Sequence, residues 1–258
     1  MTTNERDLKV AVVTGSTRGI GAAIAGRLSA DGFAVVVSGR NTAQGAAIAN
    51  EITISGGTAF FHPADIADPA ACRALVKAAV DRYQRIDVLV NNAGIFPIAE
   101  IDDTTPELWD KVFSINVRGA FLCAQAAIPY LKNQGGGVIV NIGSTTTFRC
   151  LSDRIAYATS KGALLTMTKR LAQVLLADRI RVNWVTVGWV PTEGELELRS
   201  CGTPSGSGEA FLAEVGAQAP LGRLETVEDI AAGVAYLVSD EASHVTGCEL
   251  NISGGLWI

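Results

Sequence analysis

A single α/β domain built on a doubly wound, seven-stranded parallel sheet, with helices on both faces, is the fold class this sequence predicts. Three observations predict it. Short apolar runs alternate with longer segments of helical character. The best of those runs are rich in valine and isoleucine with few polar interruptions, as parallel strands covered on both faces are. A glycine-rich stretch, Thr14 to Gly21, lies between the first apolar run and the first helical segment, where the chain must turn sharply from strand into helix.

The strands are expected at Val10 to Val13, Ala34 to Val37, Ala59 to Phe61, Ile86 to Val90, Val138 to Ile142, Val182 to Val187 and Glu249 to Ile252. Between them, residues 19 to 31, 41 to 55, 69 to 84, 106 to 133, 155 to 178 and 226 to 239 read as helices and supply the two covering layers. One stretch departs from the alternation. From Gly194 to Gly216 the chain places Cys201-Gly202-Thr203-Pro204-Ser205-Gly206-Ser207-Gly208 between more helical ends, and such breaker-rich insertions in α/β domains are often functional. It is expected to be a lid over about 193 to 217. No internal repeat and no compositional shift marks a linker, so residues 1 to 258 read as one domain.

Composition narrows the class of partner. The 258 residues are 48% hydrophobic and 18% charged, and the net charge is −5 with no run of lysine or arginine. That balance argues against nucleic acid and for a small-molecule partner. Met1 to Lys9 is polar and carries both signs of charge, unlike a secretory signal, and no stretch approaches the ~20 apolar residues that span a bilayer. A soluble, cytoplasmic protein without a membrane partner is expected. Cys72, Cys123, Cys150, Cys201 and Cys248 are scattered without Cys-x-x-Cys spacing, and His62 and His244 have no metal-ligand spacing, so neither a disulfide framework nor a metal site is expected.

The glycine stretch carries the first chemical signal. Gly15, Gly19 and Gly21 follow a strand and open a helix, where missing Cβ atoms let the backbone approach a pyrophosphate and the helix amides favour its charge. Thr17, Arg18 and Ile20 complete the cofactor-facing turn. At the end of the second strand, where an acid would bind ribose hydroxyls, the chain reads Val37-Ser38-Gly39-Arg40-Asn41. Gly39 repels no 2′-phosphate, and Arg18 and Arg40 can reach toward one, so NADP(H) is favoured and NAD(H) is the alternative.

Tyr157 and Lys161 carry the second. On a helix they stand one turn apart on one face, so an ammonium can sit beside a phenol. Lowering a tyrosine pKa from about 10 by some three units takes roughly 4 kcal/mol of preferential stabilisation of the phenolate. A cation in a partly desolvated cleft supplies much of that, and a phenol so tuned serves as a general acid-base near neutral pH. Ser144, thirteen residues before the tyrosine, is placed to hold a substrate oxygen as it gains charge.

With these residues in view, the chain resembles the short-chain dehydrogenase/reductase family over residues 8 to 255. Thr14 to Gly21 resembles its Thr-Gly-x-x-x-Gly-x-Gly loop, Asp65-Ile66 its adenine-contacting pair, and Asn91-Asn92-Ala93-Gly94 its fourth-strand motif; Asn116, Ser144, Tyr157 and Lys161 match its catalytic tetrad. The resemblance implies a Rossmann-type fold and an NAD(P)(H)-dependent oxidoreductase that transfers a hydride between nicotinamide and a ketone or secondary alcohol. It also implies roles: Tyr157 protonates the substrate, Ser144 orients it, Lys161 binds the nicotinamide ribose and acidifies the phenol, and Asn116 supports a water-mediated relay. Beside the nicotinamide the family has Asn-x-x-x-Pro-Gly and then a threonine. Here Asn183 is followed by Val187-Gly188-Trp189-Val190-Pro191-Thr192, with valine in place of the proline and with Gly188, Val190 and Thr192 in cofactor-facing positions. The closing Asp-Gly-Gly of the family is Ser253-Gly254-Gly255.

The pattern is most similar to that of bacterial 3-oxoacyl-acyl-carrier-protein reductases. Phe96, Thr146, Phe148, Cys150, Leu151, Trp189, Leu196 and Leu198 flank the catalytic groups or lie on the lid. They form either an apolar pocket for an aliphatic or cyclic ketone or the packing of the lid onto the core. Leu108, Val112, Phe121, Leu122, Leu164, Leu165 and Leu175 leave apolar side chains on more than one side of two helices, which related proteins pair about two-fold axes, so a homotetramer is expected. A non-catalytic nucleotide-binding sensor or regulatory protein is the rival reading, against which the joint presence of Ser144, Tyr157 and Lys161 stands.

Overall fold

The computed structural model describes residues 8–149, 151–202 and 208–256. Seven parallel strands form one sheet in the order β3-β2-β1-β4-β5-β6-β7: β1 Val10–Val13, β2 Ala34–Gly39, β3 Thr58–Pro63, β4 Val88–Asn91, β5 Gly137–Ile142, β6 Ile180–Val187 and β7 Glu249–Ile252. All seven expected strands are present. Four of them shift by two residues at one end: β4 opens only after Ile86 and Asp87, β6 opens already at Ile180, and β2 and β3 run on to Gly39 and Pro63. Strand order reverses between β1 and β4, which pair directly with Val12 opposite Leu89. At such a reversal the loops at the carboxyl ends part and leave a crevice for a ligand.

Side-chain alternation explains why the strands lie where they do. Ala11, Val13, Val35, Val37, Val88, Val90, Val138 and Val140 pack on one face with Ile24, Leu28, Ile230 and Val234. Their sequence neighbours Val10, Val12, Val36, Leu89 and Ile139 point to the other face, against Leu75, Tyr83, Cys123 and Leu131. Both faces of each central strand are therefore buried, which is the physical reason its sequence lacks a polar stripe.

The first face is covered by α1 (Gly19–Ala30), α2 (Thr42–Ile54) and α9 (Val227–Val238); the second carries α3 (Pro69–Tyr83), α4 (Pro106–Phe113), α5 (Ala120–Asn133) and α6 (Ile155–Val174). Several helix starts are written locally. Asp68 accepts from Ala70 N ahead of Pro69, Thr105 accepts from Leu108 N ahead of Pro106, and Thr226 and Asp229 form a reciprocal capping box.

The expected helix at 106 to 133 needs a correction. A π-helical turn, Ser114–Gly119, interrupts it between α4 and α5. At its end a Cβ on Gly119 would overlap the Ile66 side chain, so the rod crosses the loop after β3 at very close range. By length and composition Pro106–Asn133 is the one helix among the described residues that could cross a membrane. Cys123, Ala124, Ala127 and Leu131 bury one side of it in the core instead.

The expected lid contains two helices, α7 (Glu193–Gly202) and α8 (Gly208–Ala217). Residues 203–207 of that lid, Cys150 and Met1 to Asp7 lie outside the described residues.

Candidate active site

The cleft is built where β1 and β4 part, and its floor begins with the turn after β1. Gly15 (φ +63°) and Gly19 (φ +57°) adopt the left-handed conformation that glycine reaches without penalty. A Cβ on Gly21 would overlap the Gly15 carbonyl oxygen. Ser16 pins the turn to β2, donating to Val13 O (2.6 Å) and accepting from Ser38 N (2.9 Å). Asn92 ties it to β4 by donating from Nδ2 to Thr14 O (3.0 Å) and Gly15 O (2.9 Å), while Thr14 Oγ1 accepts from the amides of Asn92 and Ala93 (both 3.0 Å). Arg18 occupies the N-cap of α1 and makes no side-chain cap bond, whereas α2 and α3 are capped by Asn41 and Asp68. The first amides of α1 are thus left to an anion from outside the chain.

The cleft encloses about 350 Å³ and takes in every residue expected to face the cofactor: Gly15, Thr17, Arg18, Gly19, Ile20, Gly21, Arg40, Asp65, Ile66, Asn92, Ala93, Gly94, Tyr157, Lys161, Gly188, Val190 and Thr192. A Cβ at Gly39 would stand 2.6 Å from Thr17 Cγ2, so an acid there would have to displace the Thr17 side chain. Arg40 lines the cleft nearby. Arg18 is engaged by the lid: its Nη1 lies 2.9 Å from Glu197 Oε1 on α7.

At the other end of the cleft, Ser144 follows β5. Its Oγ accepts from Thr146 N (3.2 Å) and from Thr146 Oγ1 (3.0 Å), which leaves the serine proton to be donated into the cleft. The preceding Gly143 rests on an indole, since a Cβ there would overlap the ring of the wholly buried Trp184. Tyr157 and Lys161 lie on α6, and the Phe96 ring meets Tyr157 edge-on at 6.1 Å. Lys161 is buried, and its Nζ donates to Ile142 O at 2.7 Å.

The expected acidified phenol is not found, which corrects the sequence reading. Burial raises the Tyr157 pKa above its usual 10.0; the Ser144 hydrogen bond and the Arg154 charge pull it down, and Glu195 pushes it up. Burial also brings Lys161 down to about 8. Its ammonium is 5.7 Å from the centre of the Tyr157 ring and bonded to the Ile142 carbonyl.

Asn116 stands beside the cleft, its Oδ1 3.2 Å from where a Cβ on Gly94 would lie. It sits in the π-helical turn, 1% exposed, and does not line the cleft. Its Oδ1 accepts from Ile95 N (2.9 Å) and its Nδ2 donates to Ile95 O (2.9 Å) and Ser160 Oγ (3.0 Å), so the side chain braces the loop after β4 against α6.

Of the expected substrate-pocket residues, Phe96, Thr146, Leu151 and Trp189 line the cleft, whereas Phe148, Leu196 and Leu198 do not. Among the cleft residues that the sequence reading did not name, two are charged and stand close to the catalytic groups. Arg154 stands three positions before Tyr157, is almost wholly buried and donates to Phe96 O; Glu195 joins it from α7. An isolated arginine ahead of a helix carries no pattern that separates it from a surface residue.

The chain was compared with known proteins. The enoyl-(acyl carrier protein) reductase family model matches residues 15–257. An uncharacterized oxidoreductase of Methylorubrum extorquens is 44% identical over 96% of this chain and 97% of its own. The 3-oxoacyl-[acyl-carrier-protein] reductase of Thermotoga maritima is 33% identical over 97% and 98%. Among solved structures, a variant of the actinorhodin polyketide ketoreductase with NADPH superposes with a TM-score of 0.93 at 34% identity, covering 99% of both chains. A glycine turn at an uncapped helix, a serine, tyrosine and lysine across the cleft from it, and relatives alike over nearly their whole length lead to one conclusion: the chain belongs to the short-chain dehydrogenase/reductase family of oxidoreductases.

Proposed function

We propose that this oxidoreductase is an NADP(H)-preferring reductase of ketones, or dehydrogenase of secondary alcohols, with Tyr157 as its general acid-base. The observation that carries the reading is the joint placement of Ser144, Tyr157 and Lys161 in a cleft whose far end is the open N-terminus of α1. The residues present fit a nicotinamide dinucleotide. Left-handed Gly15 and Gly19 and the free first amides of α1 suit a pyrophosphate, Arg18 and Arg40 suit a 2′-phosphate, and the close approach of Thr17 to Gly39 disfavours the acid that selects an unphosphorylated ribose.

When bound, the nicotinamide supplies or accepts a hydride. The chain's own part is orientation and proton transfer. Ser144, whose oxygen already accepts two bonds from Thr146, donates its proton to the carbonyl oxygen of a ketone and holds it beside Tyr157. Tyr157, neutral in its buried setting, gives its proton to that oxygen as charge develops. Lys161, fixed by Ile142 O, then faces the phenolate and stabilises it. Alcohol oxidation runs these transfers backward. Phe96, Leu151 and Trp189 give the substrate end an apolar lining, which fits an aliphatic or cyclic ketone.

The test is a screen of ketones and secondary alcohols with both cofactors, followed by the absorbance of reduced nicotinamide. Turnover with NADPH exceeding that with NADH supports the reading. Binding of cofactor without turnover across a broad carbonyl panel overturns it.

A further inference from the structure

Glu225 is a buried carboxylate that the proposed reaction leaves unused. It precedes the capping box of α9 and is 3% exposed. Its two oxygens lie where a Cβ on Gly188 would come within 2.8 Å of Oε2 and 2.9 Å of Oε1, and a Cβ on Gly254 within 3.1 Å of Oε1. The carboxylate therefore fills the gap between the chain leaving β6 and the chain leaving β7, and it fits because both neighbours are glycine. Neither oxygen makes a hydrogen bond of full geometry. Burial pushes the carboxyl pKa up, its own backbone amide, that of Trp189 and the Arg223 charge pull it down, and Asp229 pushes it up. The titratable groups that face it are thus Arg223 and Asp229 from its own segment; Gly188 and Trp189 after β6, and Ser253 and Gly254 after β7, contribute none.

A carboxylate buried with so little compensation costs stability, and its location shows what that cost maintains. Val187, Gly188, Trp189, Val190 and Thr192 are one wall of the cleft, and Glu225 stands behind that wall. Valine at 187 leaves the start of this segment without a proline ring, and Pro191 restrains only its far end. We infer that Glu225 is a positioning residue for the cofactor cleft, a wedge between Gly188 and Gly254 that sets the path of residues 187 to 192. The inference rests on the cofactor-cleft reading proposed above. Loosening of the wall returns the carboxyl to water and its usual pKa, so the wall is best ordered while Glu225 is protonated and loosens as pH rises through the raised carboxyl pKa.

Two readouts test this. The first is the NADPH dissociation constant from about pH 5 to about pH 8 for the parent, Glu225→Gln and Glu225→Ala, with the parent-to-variant ratio cancelling titration of the 2′-phosphate. The parent is expected to lose several-fold in affinity relative to Glu225→Gln as pH rises, and Glu225→Ala to bind weakly throughout. The second is amide hydrogen exchange over residues 187 to 192 at one neutral pH without cofactor, expected to be several-fold faster in Glu225→Ala than in the parent while β1 and β4 are unchanged. A Glu225→Gln ratio constant with pH, or equal exchange in parent and Glu225→Ala, overturns the inference. Failure of the parent to bind either cofactor sinks the cofactor reading instead, and hydrogen exchange still decides whether Glu225 sets the segment.

Discussion

Lys161 holds its ammonium 5.7 Å from the centre of the Tyr157 ring and gives its hydrogen bond to the carbonyl of Ile142. The cation faces the side of the phenol while β5 anchors it, so the lysine is ordered before any ligand arrives. In this state the tyrosine is a neutral proton donor with its pKa raised by burial, and the lysine is a strained cation with its own lowered.

Tyr157→Phe should fold, bind cofactor as the parent does and lose at least about 10²-fold in kcat, the usual scale for a lost general acid. Ultraviolet difference titration of parent against variant should show no Tyr157 phenolate below about pH 10 in the free protein, since burial favours the neutral form. A phenolate signal near neutrality would restore the acidified-phenol expectation.

Lys161→Met isolates the buried ammonium. With a folded pKa of about 8 against 10.5, the unfolded chain binds more protons between those values, so the lysine's burial penalty falls as pH rises through that window. Urea unfolding should show the parent gaining up to about 3 kcal/mol on the variant from pH 8 to pH 10.5. A difference constant with pH would contradict this.

Gly21→Ala puts a methyl group into the Gly15 carbonyl oxygen, and Gly15→Ala adds a methyl 2.8 Å from Ala93 Cα at a φ of +63°. Both should distort the turn and weaken cofactor binding at least about tenfold, with a stability loss of about 1–3 kcal/mol. Titration by nicotinamide fluorescence and thermal unfolding measure the two effects separately.

Arg18→Ser and Arg40→Ser should each weaken NADPH by about tenfold and leave NADH within about twofold, as expected for loss of one phosphate-facing guanidinium. Parallel isothermal titrations with the two cofactors read the difference directly. Equal losses for both would remove the 2′-phosphate assignment.

Sedimentation at micromolar concentration should report a tetramer. Phe121 on α5 is 43% exposed and Val174 at the end of α6 is 65% exposed, apolar area that two-fold pairing of these helices would cover. Val112, Leu164 and Leu175, expected on that surface, are buried within the subunit, so a smaller patch carries the association. A monomer would show that the patch is simply solvated.

Sequence pattern made the sheet legible because central strands buried on both faces leave uninterrupted runs such as Val10 to Val13. The glycine turn was legible because Gly15 and Gly19 need left-handed φ and Gly21 needs a missing Cβ, constraints that local sequence records. The π-helical turn was not, since no spacing in Ser114–Gly119 separates it from the α-helix on either side. Nor was the raised phenol pKa, because spacing places Lys161 near Tyr157 but cannot tell that Ile142 O takes the ammonium's bond or how far the cleft excludes water. Glu225 was hidden for the same reason: its contacts, Gly188 and Gly254, become its neighbours only when β6 and β7 pair.

The indole beneath Gly143 gives the protein a built-in optical gauge. Trp184 is wholly shielded and donates its Nε1 proton to Thr186 Oγ1 at 2.7 Å, whereas Trp189 looks into the cleft. With Trp109 and Trp257 replaced by phenylalanine, fluorescence of the first should stay blue and resist aqueous quenchers while that of the second answers to ligands, so one emission spectrum can follow the floor under the serine and the wall beside it as separate colours.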